Sequence, residues 1–391
     1  MKRIDRLLIL IVVVCAPLFS LGATPHSAKT SKRSYLVYVG TYTAQQSKGI
    51  YSYRFNATTG HLASLGLAAE TSNPSFLAVH PSQNFLYAVS ETGKFQNQSS
   101  GAVSAFAIDR STGRLTLLNQ VASRGADPCY VAVDKTGKYV LVANYGGGSV
   151  AVFPVLKGGR LGEATRVLQY KGTGANPERQ QSPHAHWIDL SPDNRFAIAV
   201  DLGLDRLDLY KFDSTKGSLV PNHPAVVQVK PGAGVRHFEF HPSARFAYAV
   251  NEMDSSVTSF SYDPARGVLH ESQTISMLPK DFSGKNDAAE IQVHPNGKFL
   301  YASNRGHDSI AVFSVDPAKG TLTPVEYVPT QGKAPRYFAI DPTGSRLFVA
   351  NQNSGNIMVF HIDPVTGRLT ATGQVLEIAS PVCLKFVAIT E

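Results

Sequence analysis

One phrase of about fifteen residues recurs along this chain, and it constrains the fold more than any other feature. Its first copy, at residues 76–90, reads FLAVHPSQNFLYAVS, and further copies occupy 130–144, 187–201, 237–251, 290–304 and 337–351. Each is an apolar run, a polar turn such as HPSQN, DKTGK or HPNGK, and a second apolar run. The turns start at His80, Asp134, Ser191, His241, His294 and Asp341, spaced by 54, 57, 50, 53 and 47 residues. After each copy comes a third apolar run and then a short fourth one opened by glycine, as in Gly113-Arg-Leu, Gly217-Ser-Leu and Gly320-Thr-Leu. Short runs with period-two alternation between turn residues read as strands. With 32 Gly and 23 Pro in 391 residues, the composition also disfavours long helices. Four antiparallel strands per period of about fifty residues make the blade of a β-propeller.

The chain ends supply the blade count. Tyr35-Leu-Val-Tyr-Val-Gly40 reads as a second strand with no first strand before it, and Pro381-Val-Cys-Leu-Lys-Phe386 as a first strand with nothing after it. Six complete repeats and one split repeat predict an all-β, seven-bladed propeller over residues 35–391. The C-terminal strand would join the N-terminal blade and close the ring, covering exposed sheet edges.

Ahead of it, Lys2, Arg3 and Arg6 precede an apolar run from Leu7 to Leu21, with small residues Ser20, Gly22 and Ala23 following. This pattern predicts a signal peptide over 1–23, a polar linker over 24–34, and an exported, periplasmic or secreted protein. The run is shorter than the roughly 20 residues that span a bilayer, so no membrane attachment is expected after cleavage. The net charge of +8 comes from scattered cations, which argues against nucleic acid as a partner. Three cysteines are too few for a disulfide framework, and no Cys–His spacing suits zinc. Cys129 and Cys383 are expected as buried free thiols, and the protein as a monomer.

Within each hairpin, symmetry about the turn sets Cys129, His186, Arg236 and Arg336 opposite Asn144, Asp201, Asn251 and Asn351. These positions, with Glu91, Tyr145, Glu252 and Arg305 next along, should rim one mouth of the central channel. Asn144, Asn304 and Asn351 suit turns, and His80, His241 and His294 recur on the opposite face as structural residues. His186, Arg236 and Glu252 break the blade consensus at inward positions. A buried His, Arg and Glu converging on one channel need one another or an anionic ligand. The long connectors 171–183 and 276–288 emerge on that face, and bring Arg179 and Lys285 within possible reach.

Tyr38-Val-Gly-Thr-Tyr-Thr43, Pro183-His-Ala-His186, Val235-Arg-His-Phe238, Ala249-Val-Asn-Glu252 and Tyr301-Ala-Ser-Asn-Arg305, with the period, resemble the seven-bladed propeller lactonase family. Its members include 6-phosphogluconolactonase and a carboxymuconate-lactonizing enzyme. The resemblance implies a lactonase acting on a sugar-acid lactone, without metal or other cofactor. It makes His186, Arg236 and Glu252 the catalytic candidates and Arg305 a substrate-binding one; His184, His237, Glu290 and Arg336, from the same polar rim, join it as substrate-binding candidates for an anionic small-molecule lactone. Either His186 or Glu252 would serve as general base, with arginine stabilising the oxyanion. The alternatives are a muconate-type lactonizing enzyme and a non-enzymatic propeller that presents a binding surface. The exported address sits better with an unphosphorylated sugar-acid lactone than with a cytoplasmic phosphorylated one.

Overall fold

A computed structural model of the chain describes residues 34–43 and 46–389. The expected leader and all but the last residue of the linker lie outside them; Ser34 already opens the first strand, Ser34–Thr41. Seven four-stranded antiparallel sheets follow one another. Blade 1 contains Ser34–Thr41, Gly49–Asn56 and Leu62–Glu70, and its innermost strand is Pro381–Ile389 from the other end of the chain. The pairing runs from Tyr35 opposite Ala388 to Gly40 opposite Cys383. Blades 2 to 7 begin with Leu77–Val79, Pro128–Val133, Ala185–Leu190, Val235–Phe240, Asp287–Val293 and Pro335–Ile340. Each of these first strands packs against the first strand of the next blade, and Pro381–Ile389 closes the circle between blades 7 and 2.

Burial follows distance from the axis. Second strands such as Tyr139–Asn144 and Phe246–Asn251 are buried at every position, because a blade lies against each of their faces. Fourth strands such as Leu115–Ala122 are exposed or half-buried at all but one position. Neighbouring blades are also tied by hydrogen bonds from recurrent residues. Nε2 of the turn histidines His80, His241 and His294 lies 2.9, 2.8 and 2.8 Å from the carbonyl oxygens of Gly137, Gly297 and Gly344 in the next blade. The hydroxyls of Tyr87, Tyr248 and Tyr301 donate to the carbonyls of Gly159, Gly320 and Gly367, again one blade on. Gly320 is required twice over: its φ is +70°, and a Cβ there would lie 2.4 Å from the Phe246 ring. Replacing the buried His294 with Ala strands the Gly344 carbonyl and is expected to cost about 1–3 kcal/mol in denaturant unfolding.

The rim register differs from the symmetric one expected from the hairpins. In blades 3, 4, 5 and 7 it is Pro128, Ala185, Val235 and Pro335 that pair with Asn144, Asp201, Asn251 and Asn351, and the pairing then resumes two residues later. Cys129, His186, Arg236 and Arg336 are therefore the extra residues of β-bulges. A bulge leaves one residue without a partner and re-aims its side chain. Here the four bulged residues are those expected at the mouth.

Candidate active site

A cavity of about 310 Å³ occupies this mouth, lined by His186, Glu252, Arg305 and Arg336 together with Tyr42, Glu91, Cys129, Tyr145, Arg179 and Asp287. Its centre is Glu252, which follows the second strand of blade 5. One carboxylate oxygen takes Arg179 Nη2 at 2.6 Å; the other meets Arg236 Nε and Arg305 Nη2, each at 2.9 Å. Arg179 arrives from the 171–183 connector, Arg236 from the bulge of its own blade and Arg305 from blade 6. Burial alone would raise the Glu252 pKa, but Arg305, Arg236 and the Arg179 hydrogen bond hold it far below the ordinary carboxylate range. Glu252 is a permanent anion that organises three guanidiniums.

Arg236 is almost completely buried, and Nη1 also donates to the Ala289 carbonyl. Burial first, then Arg336 and Arg305 nearby, push its pKa down to about 10, so it remains charged at neutral pH. Arg336 stacks over the Tyr42 ring at 5.4 Å and has no carboxylate in ion-pair reach among the described residues. The Tyr42 hydroxyl is itself engaged with both oxygens of Glu91 at 2.9 Å. Four guanidiniums thus face three carboxylates, and Arg336 is the one not already neutralised by direct contact.

His186 lines the same cavity and is 4% exposed. Its Nδ1 is itself buried and has no hydrogen-bond partner among the described residues. Burial and then Arg236 hold its pKa well below 6.5, so the imidazole is neutral and has a lone pair to offer. Cys129 is a free thiol that burial pushes well above its ordinary range; it stays protonated and is no nucleophile. Cys383 is likewise buried and free.

Arg236 and the remaining candidates lie behind the cavity lining. His184 stacks on Tyr145 at 4.4 Å, with Nδ1 3.0 Å from the Tyr145 carbonyl oxygen, and so braces a cavity wall. His237 and Glu290 pair with each other, Nδ1 to Oε2 at 2.9 Å, below the rim. Burial disfavours the imidazolium and raises Glu290 to about 8, which favours a neutral imidazole beside a carboxylic acid at pH 7. His237 touches the His186 ring at 5.1 Å and belongs to an aromatic floor with Phe76, Tyr130 and Tyr337 that fills the channel. Glu290→Ala leaves His237 Nδ1 unpaired and is expected to cost about 1–3 kcal/mol by thermal unfolding, whereas Glu290→Gln should keep most of it.

Asn144, Asn304 and Asn351 donate to the carbonyls of Ser123, Met277 and Thr330, the structural role their turn positions imply. Tyr42 and Asp287 are cavity residues not singled out as candidates in the sequence. Tyr42 sits inside the YVGTYT segment, outside the hairpin frame, and Asp287 lies where the long connector passes into the first strand of blade 6. Among the described residues no cluster of three or more His, Cys, Asp or Glu could hold a metal ion.

A family model described as "Lactonase, 7-bladed beta-propeller" matches residues 36–386. The chain belongs to that family. It is thereby an enzyme of the lactone-hydrolysing, carboxylic ester hydrolase type. A Bacillus subtilis 6-phosphogluconolactonase is 38% identical over 78% of this chain and 85% of its own length. A crystal structure of a putative 6-phosphogluconolactonase from Bacteroides fragilis superposes with a TM-score of 0.85 at 40% identity, covering 92% of this chain and 99% of that one. The Pseudomonas aeruginosa periplasmic gluconolactonase superposes at 0.86 with 37% identity, over 91% and 99%.

Proposed function

We propose that this lactonase hydrolyses an unphosphorylated sugar-acid lactone outside the cytoplasm, with His186 as general base and arginines as the oxyanion site. The observation that carries the reading is a buried, neutral imidazole on the lining of a cavity shared with Arg179, Arg305 and Arg336, with Arg236 directly behind. In this mechanism His186 takes a proton from water as the water attacks the lactone carbonyl. Negative charge then gathers on the carbonyl oxygen, facing Arg305 on the lining with Arg236 behind it, both already aligned by Glu252. Guanidiniums fixed before the reaction stabilise that charge without reorganising. Collapse of the tetrahedral intermediate breaks the bond to the ring oxygen, and the His186 proton passes to that oxygen. Arg336, without a carboxylate of its own, receives the carboxylate of the opened acid.

Glu252 is the weaker candidate for the base, since three arginines hold its lone pairs and keep its proton affinity low. The N-terminal pattern of basic residues followed by an apolar run supports export. The similarity to a periplasmic gluconolactonase supports the same address and an unphosphorylated substrate. Purified mature protein is expected to open glucono-1,5-lactone well above the spontaneous rate at mildly acidic pH, and at least as well as its 6-phospho derivative. Stopped pH-indicator assays on both lactones check this. Absence of turnover above background on either would end the lactonase mechanism, and a strong preference for the phosphorylated lactone would end the substrate assignment.

A further inference from the structure

A second cavity, of about 570 Å³, adjoins the catalytic one of about 310 Å³. The two share Arg179 and Asp287, whose side chains approach to 3.8 Å and form the partition between them. The partition consists of side chains alone: Arg179 comes from a connector, is 39% exposed, and is held on its inner side by Glu252 at 2.6 Å. The far wall is comparatively rigid. Ser255 Oγ accepts from Asn286 Nδ2 at 2.9 Å, Asn286 Nδ2 also reaches Asn304 Oδ1 at 2.9 Å, and Asp254 accepts from the Ser256 hydroxyl at 2.6 Å.

A lone gluconolactone ring fits the smaller cavity, which lies near the lower end of the roughly 300–1,000 Å³ range of small-molecule sites. The larger chamber is then unexplained by a monosaccharide lactone. Its chemistry narrows what could fill it. Its walls carry Asp287 and Asp254, the latter paired with Lys230 at 3.4 Å, together with Arg179 and Lys285, and the Lys285 ammonium has no ion-pair partner among the described residues. A phosphate there would face both carboxylates, and an apolar group would strand polar walls without partners. A polyhydroxylated group offers donors to Asp287 and acceptors to Lys285 and Arg179 together.

We propose that this chamber is a subsite for a second sugar unit, so that the substrate is the lactone of an aldobionic acid, a disaccharide oxidised at its reducing end. The lactone ring occupies the His186 cavity and the glycosyl unit passes Arg179 into the chamber. This rests on the lactonase reading above and extends it to the substrate class.

The test compares kcat/KM for cellobiono-1,5-lactone and glucono-1,5-lactone, in wild type, Leu278→Trp and Lys285→Ala. Leu278 lines only the second chamber and is partly exposed, so the indole fills that space. Wild type is expected to favour the disaccharide lactone at least about tenfold, the equivalent of a few new hydrogen bonds. Leu278→Trp should bring the ratio close to one, and Lys285→Ala should lower it several-fold. Gluconolactone turnover by each variant reports that it is folded. A ratio near one in wild type, or one unmoved by Leu278→Trp, overturns the subsite. If neither lactone is opened, the lactonase reading fails separately, and calorimetry with the open acids decides the subsite. Cellobionate binding at least about tenfold tighter than gluconate would uphold it, and equal binding would overturn it.

Discussion

Glu252→Ala is expected to lose both stability and activity, for one reason. The carboxylate is the shared partner of Arg179, Arg236 and Arg305, and Arg236 is nearly inaccessible to solvent. Removing it leaves a buried guanidinium without its counter-charge, which typically costs about 3–5 kcal/mol. It also frees three cations to repel one another and drift from the position that faces the developing oxyanion, a loss of roughly 10²–10³ in kcat/KM. Urea unfolding and lactone turnover measure the two effects. The pairing itself is isolated by a double-mutant cycle with Arg236→Met and Glu252→Gln. The double variant should be more stable than the sum of the singles by about 1–3 kcal/mol and should stay inactive. Additive stability losses would mean that Glu252 does not act through Arg236. The pH behaviour has a defined sign. Because the folded pKa of Glu252 lies far below its ordinary 4.5, its contribution is complete above that value and is lost only at much lower pH.

The blade count, the ring closure and the chemically distinct face were legible in the sequence because each follows from local repetition. A period of about fifty residues, the recurrent turn and a half blade at each end leave few architectures open, and the structure pairs Pro381–Ile389 with Ser34–Thr41 accordingly. The bulges were not legible. Alternation with period two marks faces, but an extra residue looks like any other member of the strand, so hairpin symmetry places His186 opposite Asp201 where Ala185 sits. The mouth is legible all the same, since a slip of one position keeps a residue at the same end of its strand. The division of the polar set into lining and support was equally hidden. Whether His237 faces the cavity or Glu290 depends on the geometry between blades, as does the reach of Arg179 from its connector to Glu252. No spacing within one strand encodes those distances.

His186→Gln is expected to lower kcat/KM by about 10²–10⁴ while barely changing stability, the opposite balance to Glu252→Ala. Among the described residues the imidazole Nδ1 has no hydrogen-bond partner to lose, and glutamine can fill much of the same space. Its signature should also appear in the pH profile. A base acts in its neutral form, and burial with Arg236 nearby keeps His186 neutral to well below pH 6.5. Wild-type kcat/KM should therefore hold a plateau through neutrality and fall only on the acid side of 6.5. Arg236→Met removes a neighbouring cation, so it should raise the His186 pKa and move that acid limb upward, apart from any loss in the plateau. Stability follows the same sign. A histidine whose folded pKa lies below its unfolded value binds fewer protons when folded, so stability is lost as pH falls below about 6.5. His186→Gln should reduce that loss. Glu290, raised to about 8, acts in the other direction, favouring the folded state less as pH climbs from 4.5 to 8. Activity and stability thus depend on His186 through one proton, and the two measurements must agree. An acid limb that stays in place in Arg236→Met, or full activity in His186→Gln, would remove His186 from the base role and return that role to a carboxylate.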